Sequence, residues 1–212
     1  MSGPLPSIAK HVLAFCGSIN PGTMPVYMNI RPEPGCDPRE CFPNVQRKVE
    51  REGGRIQYGW EITQWPGVFI EAVHHGVYEA PAGPPWLDIT PPGPEEEGLN
   101  RRLFLPDNSA VYDFSNPDVR RDNIHHPLVS DPLVDEYLAI AAELVAITNS
   151  VPGTGMVTIE GPTAERVQSL VQRSSRMKRE IAMKYTPYGA PCFCGSGQKF
   201  KRCHGQPRQV KP

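Results

Sequence analysis

Apolar positions in the first half of the chain fall in short runs that turn residues separate, a pattern typical of β-strands. Phe42, Val45 and Val49 instead recur at helical spacing, and this predicted helix ends at a glycine pair. One helix followed by an antiparallel meander predicts an α+β fold. The predicted strands are residues 25–30, 55–62, 67–78, 86–90 and 102–105.

The second half begins with a polar stretch at 107–130 and then predicts two amphipathic helices. The first helix runs from its N-cap, Asp131, to about residue 148, and the second covers about 163–185. The residues predicted to face a core are Leu133, Tyr137, Leu138, Ala141 and Leu144 in the first helix, and Val167, Leu170, Val171, Met177 and Ile181 in the second.

The 212 residues include 25 prolines and 19 glycines, which suits one domain with many turns plus an appendage. The net charge of −1 is unevenly spread. Residues 162–212 hold eleven Lys and Arg against two Asp and Glu, or +9, whereas residues 1–161 hold eleven against twenty-one, or −10. The basic end therefore predicts contact with an acidic protein face or a nucleic acid, unless the two halves neutralise each other.

No secretory signal or membrane span is predicted. The apolar run at 12–16 is short, and no stretch reaches the roughly 18 apolar residues of a span. With thiols suited to metal binding, this pattern predicts a protein of the reducing cytoplasm, although Cys36 and Cys41 would be able to pair in an oxidising compartment. The stretch 152–156 lacks the lysine of a phosphate-binding loop.

Four soft metal ligands lie within thirteen residues near the C-terminal end. Cys192, Cys194, Cys203 and His204 have the spacing Cys-x-Cys-x8-Cys-His, the ligand set of a closed tetrahedral zinc site. Gly195 and a second glycine two residues later allow the backbone to turn sharply between the ligand pairs. A segment this short has no core, so zinc would supply its folding energy, on the order of 10–16 kcal/mol.

The run Cys-x-Cys-Gly-Ser-Gly-x-Lys-x-Lys-x-Cys-His-Gly, at about 191–205, resembles the SEC-C motif, the zinc knuckle at the C-terminus of the SecA preprotein translocase ATPase. The resemblance implies that the same four residues hold one structural Zn²⁺. Phe193, Gln198 and Phe200 stand where Pro, Lys and Tyr are common, and none of these is a ligand position. In SecA the knuckle docks to the chaperone SecB and the ribosome, and many bacterial proteins share it, so the resemblance implies docking to a protein partner.

A second group of residues has the types and the order of a thiol active site. Cys41 lies at the start of a predicted helix, where unpaired amides and the helix dipole favour a thiolate. His74 and His75 lie on one predicted strand and Asp88 on the next, and a hairpin bending at 81–85 would bring imidazole and carboxylate together. A nucleophilic thiol needs a base for its proton, and the base needs an acceptor that orients it.

This order of Cys, His and Asp, from about residue 41 to residue 91, resembles the papain-like and transglutaminase-like thiol enzymes. The resemblance implies a thiol hydrolase or acyltransferase in which Cys41 is the nucleophile, His75 the base and Asp88 its orienting acid. Phe42 departs from the pattern, since a Trp often follows such a Cys.

The preference for His75 rests on its strand neighbours and on an ordinary hairpin register, which turn it toward Asp88; His74 is the alternative base. Asn44 and the backbone amides near Cys41 are candidate oxyanion donors. The opposing interpretation is a non-catalytic adaptor, in which Cys41 is a small buried apolar residue and the histidines are structural.

These predictions divide the chain into five segments. Residues 1–110 form an α+β domain with the candidate Cys–His–Asp site, 111–160 a loop and a packing helix, and 161–190 a basic amphipathic helix. The zinc knuckle takes 191–205 and a tail 206–212. In this division the basic helix, at 163–185, and the knuckle deliver the first domain to its partner.

Overall fold

The protein is represented by a computed structural model that describes residues 7–38, 40–93, 96, 98–116, 121–151, 159–194 and 196–206. The predicted turn at Gly195 and the stretch at 152–156 lie outside these residues. Of the predicted tail, 206–212, only residue 206 is described. The chain divides into two compact units, residues 1–126 and 127–212.

The first unit confirms the α+β prediction, since its described residues form helices packed with an antiparallel sheet. Its elements are α1 (Lys10–Ile19), β1 (Val26–Asn29), α2 (Cys41–Glu52), β2 (Arg55–Trp65), β3 (Phe69–Ala80), β4 (Gly83–Leu87), β5 (Arg101–Pro106) and β6 (Ile124–Pro127), which ends just inside the second unit.

Two elements of this unit are not predicted by the sequence pattern. Helix α1 buries Val12, Phe15 and Cys16, whose i, i+3, i+4 spacing is a helical signal in a region that proline and glycine otherwise punctuate. Strand β6 lies inside the stretch predicted as a polar loop and pairs with β3. The predicted strand at 86–90 instead spans Gly83–Leu87, so it ends just before Asp88.

The strand order is β1-β5-β2-β3-β4, so the prediction of a simple meander is wrong beyond β4. Strand β5 returns to pair with both β2 and β1 instead of adding to β4. The chain after β1 then meets the chain after β4, because Ile30 forms a parallel bridge with Asp88 and the Arg31 amide donates to the Asp88 carbonyl at 2.7 Å. The two ends of the strand order therefore meet at Asp88.

One face of the sheet carries both an apolar cluster and buried charge. The cluster consists of Met28, Val77, Phe104 and Trp86. Register places Arg102 opposite Met28 and Glu61 opposite Phe104, and opposed residues share a face. His75 shares this face as well, since it lies two residues before Val77 on β3.

Helix α2 packs through Val45 on the neighbouring cluster of Tyr78 and Ile89. Its buried Lys48 amine contacts the Glu33 carboxylate and donates to Glu52 at 2.8 Å, and it lies 4.8 Å from the Tyr78 ring centroid. Since Glu33 belongs to the loop between β1 and α2, this ion pair fixes the loop against the helix.

The second unit contains the helices α3 (Pro132–Ser150) and α4 (Gly161–Tyr185), as predicted. They are antiparallel, because Lys184 donates to Asp131 at 2.8 Å at one end and Arg166 donates to Glu143 at 2.8 Å further along. Their shared core is Ile140, Leu170 and Met177, with Leu133, Tyr137, Leu144 and Ile147 packed against it. None of the helices in the described part of the chain is both long and apolar enough to cross a membrane.

The predicted apolar stripes of these helices need two corrections. Val171 is 47% exposed, because it follows the buried Leu170 by one position and so turns about 100° away from it. Val134 and Ile140 are the fully buried residues of α3, although the pattern does not predict them.

Replacing Gly59 by alanine is expected to destabilise the first unit. A Cβ at this position would lie 2.3 Å from the Leu105 carbonyl oxygen and 2.6 Å from the Phe104 ring, and the backbone oxygen cannot move without breaking the β2–β5 pairing. We expect a loss of about 3 kcal/mol in urea denaturation. Gly17→Ala is the matched control, since a Cβ there meets nothing within 4 Å and should stabilise α1 by up to about 1 kcal/mol. Equal behaviour of the two variants would contradict the packing described.

Asp131 is expected to make the α3–α4 pair sensitive to acid. Hydrogen bonds from Lys184 and Tyr185 lower the pKa of this carboxyl to about 2. Because the folded-state pKa lies below the unfolded one, the stabilisation is present above about pH 4 and is lost as the pH falls toward 2. Asp131→Asn keeps an N-cap side chain but removes the charge. Thermal unfolding should show it less stable than the wild type at pH 7, with the difference largely gone at pH 2. An unchanged acid response in Asp131→Asn would contradict this assignment.

Candidate functional site

Cys41 is the first residue of α2, and the geometry there leaves amides available. The helical hydrogen bonds begin with the Asn44 amide, which donates to the Glu40 carbonyl at 2.9 Å. Pro43 has no N–H, and the N-cap residue Glu40 makes no side-chain capping bond within the described residues. The amides of Cys41 and Phe42 therefore point out of the helix start without intrahelical acceptors.

The structure brings Cys41, His75 and Asp88 together. His75 Nε2 lies 3.2 Å from Asp88 Oδ2, and Cys41 is close enough for its sulfur to act on the charge of the same imidazole. Nε2 faces the carboxylate, so Nδ1 is the ring nitrogen left for a second partner. All three residues are buried, and Asp88 is only 1% exposed.

The electrostatics of the site favour the imidazolium form of His75. Burial alone would lower its pKa, but the Asp88 carboxylate and the Cys41 sulfur outweigh burial and hold the pKa well above its usual value. The pKa of Asp88 is lowered in turn: burial opposes the charged form, and His75 and Arg102 overcome that effect. His75 and Asp88 therefore form a buried pair in which each partner favours the charged form of the other.

Asp88 is held by more than the imidazole. Its Oδ1 accepts a hydrogen bond from the Thr90 amide at 3.1 Å, and its Oδ2 accepts one from Arg102 Nη1 at 2.8 Å. Arg102 also donates to Glu61 Oε1 at 2.9 Å and to Glu96 Oε2 at 2.9 Å. The carboxylate is therefore fixed on three sides.

His74 lies apart from this group. It hydrogen-bonds through Nε2 to the Ala110 carbonyl oxygen at 2.6 Å and packs between Phe42 and Trp60, with ring centroids at 4.6 and 5.5 Å. Burial lowers the pKa of His74, which keeps the ring neutral. Its contacts join β3 to the loop after β5.

Asn44, a candidate oxyanion donor from the sequence, has acceptors for its side-chain N–H groups in the structure. Its Nδ2 donates to the Asp37 carbonyl oxygen at 2.8 Å and to Thr90 Oγ1 at 3.3 Å. Its Oδ1 accepts from the Asp37 amide at 3.2 Å and from Arg47 at 2.6 Å. Asn44 instead ties the start of α2 to the segment that follows Asp88, which leaves the helix-start amides as the candidate donors.

Arg102 and Glu61 are the members of the site that sequence reasoning missed. Arg102 reads as an ordinary charged strand residue, and its role depends on β5 pairing with β2 across a separation of about forty residues. One signal was available: each is a charged residue beside a run of apolar strand positions, and such residues are buried only when they are paired.

The C-terminal segment gathers Cys192, Cys194, Cys203 and His204, whose ligand atoms all lie within 4.8 Å of one another. His204 Nδ1 lies 3.3 Å from the sulfurs of Cys192 and Cys203, and the sulfurs of Cys194 and Cys203 are 3.6 Å apart. A tetrahedral zinc with ordinary bonds would have S···S edges of about 3.8 Å and S···N edges of about 3.5 Å. The cluster can therefore bind a metal ion.

Short-range backbone bonds build this cluster. The Cys192 amide donates to the Gln198 carbonyl at 2.8 Å, and the Gly205 amide donates to the Phe200 carbonyl at 2.8 Å. A Cβ on Gly205 would lie 2.9 Å from the buried Phe200 ring, so glycine is required there. The ring of Phe200 is the only fully buried aromatic ring among the described residues from 186 onward.

The thiols of the cluster favour a bound cation. Hydrogen bonds from the Ser196 hydroxyl and amide lower the pKa of Cys194 to about 6. The Ser196 hydroxyl also favours the thiolate at Cys203, but the neighbouring sulfurs overcome that effect and raise its pKa. Three thiolates this close repel one another unless a metal ion neutralises them.

Ion pairs neutralise part of the positive charge of α4, which the sequence alone does not indicate. Arg166 pairs with Glu143, Arg173 with Glu136, and Lys184 with Asp131. Much of the basic charge of this helix is therefore neutralised by the acidic face of α3. Among the described residues of the second unit, the exposed basic residues outside these pairs are Arg176, Lys178, Arg179, Lys199, Lys201 and Arg202.

Comparison with known proteins bears on the C-terminal cluster. Three proteins named protein translocase subunit SecA, from Campylobacter jejuni subsp. doylei, from C. jejuni subsp. jejuni serotype O:2 and from a third C. jejuni strain, are each 41% identical to this chain over 54 residues. The matched region is 23% of this chain and 6% of the length of each SecA protein. No solved structure matches the chain. The model of the SEC-C motif matches residues 190–206, so the Cys₃His cluster that could hold a metal ion lies within a SEC-C motif.

Proposed function

We propose that the first unit is a thiol enzyme that transfers acyl groups, by hydrolysis or transamidation, with Cys41 as nucleophile, His75 as base and Asp88 as orienting acid. The observation that carries the proposal is the buried His75–Asp88 pair, with Nε2 3.2 Å from Oδ2, beside a Cys41 sulfur that acts on the charge of the same ring. A thiol at a helix start, a base and an acceptor on that base are the three parts such chemistry needs.

In this reaction the thiol gives its proton to His75, and the sulfur forms a bond to the carbonyl carbon of the acyl donor. The amides of Cys41 and Phe42 donate to the carbonyl oxygen as it becomes negative. The leaving group departs with the proton from His75, which leaves the acyl group on Cys41. Water or an amine then attacks the thioester, His75 takes its proton, and the thiol is regenerated.

The second candidate is a non-catalytic adaptor, in which the same residues only stabilise the fold. One observation favours it: Cys41 and His75 are 7% and 6% exposed, a burial that a structural hydrogen-bond network would share. The two candidates differ in one property, the reactivity of the Cys41 sulfur.

Cys41 is expected to react with iodoacetamide at pH 7 about ten times faster than free glutathione, since an unperturbed thiol is only a few per cent ionised at that pH. Cys36 is the slow internal comparison: it is more exposed than Cys41, but burial and Glu33 raise its pKa. Cys16 should stay unlabelled, because burial raises its pKa to about 11. Mass spectrometry of the digested protein reads each site separately.

His75→Gln should remove the excess reactivity of Cys41, whereas His74→Gln should leave it within about twofold of wild type. The two variants change adjacent residues of one strand, so a general loosening of the fold would affect both. Labelling of Cys41 no faster than that of free glutathione, or equal loss in both variants, would leave the adaptor interpretation.

The C-terminal segment is proposed to hold one zinc ion in a closed site and to dock the protein to a partner. Zinc would there neutralise three thiolates and fix the turn, with no part in the acyl chemistry. The SecA likeness supports a partner such as the ribosome or SecB, and the exposed basic residues support an acidic surface on it. A cytoplasmic location and a bacterial source follow from this proposal.

One zinc per chain is expected by elemental analysis of the purified protein. Cys194→Ser and His204→Ala should each lower the zinc content and leave residues 190–206 unprotected in hydrogen exchange. Cys36→Ser is the control and should retain one zinc. Binding to ribosomes or to SecB should be lost on chelation at constant salt. A metal-free protein with the same exchange protection would contradict the zinc proposal, and binding unchanged by chelation would contradict docking through the knuckle.

A further inference from the structure

A buried guanidinium lies beside the candidate thiol site, and the mechanism proposed above does not use it. Arg102 is 5% exposed, and four hydrogen bonds to four acceptors engage its Nε and both terminal nitrogens. The acceptors are Glu61 Oε1 at 2.9 Å, Asp88 Oδ2 at 2.8 Å, the Thr90 carbonyl at 3.1 Å and Glu96 Oε2 at 2.9 Å. Such a fork fixes the position of whatever it binds.

The critical contact is on Asp88 Oδ2. The same oxygen faces His75 Nε2 at 3.2 Å and accepts from Arg102 Nη1 at 2.8 Å. The guanidinium therefore holds the carboxylate in place for the ring and also neutralises part of the charge that attracts the ring's proton. Without it, the ring would face a buried carboxylate with no other cation on it, since the third contact of this carboxylate is the neutral Thr90 amide.

We propose that Arg102 is a positioning residue for the Cys41–His75–Asp88 site: anchored on Glu61, its guanidinium holds the Asp88 carboxylate against the imidazole and shares that carboxylate's charge. The inference rests on the proposed function, because it assigns Arg102 a role in that site. It adds a pair of residues, Arg102 and Glu61, that would set how tightly His75 keeps its proton.

Glu61 has the opposite effect on the ring. Its carboxylate lies on the same sheet face as His75 and is bound by Arg102 Nε, and burial raises its pKa. As an anion it attracts the imidazolium and offsets the guanidinium. A base that must take a proton and later release it works best when these opposing charges are balanced.

The charged groups that act on His75 come from each element around it. Cys41 approaches from α2, Asp88 from the segment after β4, Arg102 from β5 and Glu61 from β2, while Glu96 reaches the site through Arg102. His74, the neighbour on β3, is kept neutral by burial. Removing one of these charges at a time should therefore shift the pKa of His75 in a direction that the sign of the charge determines.

The experiment follows the imidazole of His75 by NMR titration in the full-length protein, with histidine labelled in its ring nitrogens. Arg102→Gln removes the cation that shares Asp88 Oδ2 with the ring and should raise the pKa of His75 by roughly one to two pH units. Glu61→Gln removes an anion and should lower it by roughly one. The variant with both changes should lie between the two single variants.

A role in folding alone predicts a different outcome, because both single variants would then lose stability without opposite effects on the ring. Glu79→Gln is the matched control: it removes another buried strand carboxylate, one paired with Arg55, and should leave the titration of His75 unchanged. If Arg102→Gln does not fold, Arg102→Lys is used, which keeps the charge without the fork. In that variant the pKa of His75 should lie within about half a pH unit of the wild-type value, and the direction of the shift in Glu61→Gln then tests the proposal.

An unchanged pKa in Arg102→Gln, or shifts of the same sign in Arg102→Gln and Glu61→Gln, would overturn the proposal; if only Arg102→Lys folds, an unchanged or raised pKa in Glu61→Gln would do so. This readout does not depend on reactivity. An unreactive Cys41 would contradict the enzyme proposal and the role of Arg102 in catalysis. It would not contradict a measured coupling between Arg102 and His75.

Discussion

Asp88 lies where the two ends of the first unit's strand order meet, and its carboxylate is shared between an imidazole and a guanidinium. Its backbone holds the chain after β1, through the Ile30 bridge and the Arg31 amide. One residue therefore joins the closure of the sheet to the orientation of His75. A change that opens the sheet at this point would also displace the ring from its acceptor.

Buried charge of this kind is costly to form. Taking ions out of water is repaid only when their hydrogen bonds are complete, and every buried polar side-chain atom of the described residues has a partner. The hydrogen bonds of the network are therefore complete. A purely apolar interior of the same volume would nevertheless make the fold at least as stable. A network with a thiol and an imidazole at its edge is easier to explain by chemistry than by stability, which is why we favour the enzyme over the adaptor.

The second unit obeys a different constraint. Its helix pair has an apolar core of its own, but residues 190–206 bury one aromatic ring and otherwise rely on short backbone bonds and four ligand atoms. Glu136 and Glu143 of α3 and its N-cap, Asp131, pair with three of the basic side chains of α4, so the exposed basic charge left in the described part of this unit lies in the second half of that helix and at residues 199–202. The Cys₃His segment and the candidate thiol site can therefore be tested by separate experiments.

What the sequence predicts depends on how local each signal is. The Cys₃His cluster was fully predictable, because its ligands and glycines lie within thirteen residues. The approach of His75 to Asp88 was predictable because one hairpin brings them together, with Tyr78 paired to Leu87. The pairing of β5 with β2 was not predictable. Turn residues indicate that consecutive strands pair, but they do not indicate which distant strand pairs with a later strand. Arg102 and Glu61 were missed for that reason, and the contacts of Asn44 with Asp37 and Thr90 depend on the same closure.

The most direct test of the central claim is the protonation state of His75 at neutral pH, read from its ring-nitrogen chemical shifts in the wild type and in Cys41→Ser. A working thiolate–imidazolium pair predicts a charged ring in the wild type and a clear fall in its pKa when the sulfur is replaced. A neutral ring in the wild type, with the same titration in Cys41→Ser, would contradict the account, because the thiol and the imidazole would then be neighbours that exchange no proton.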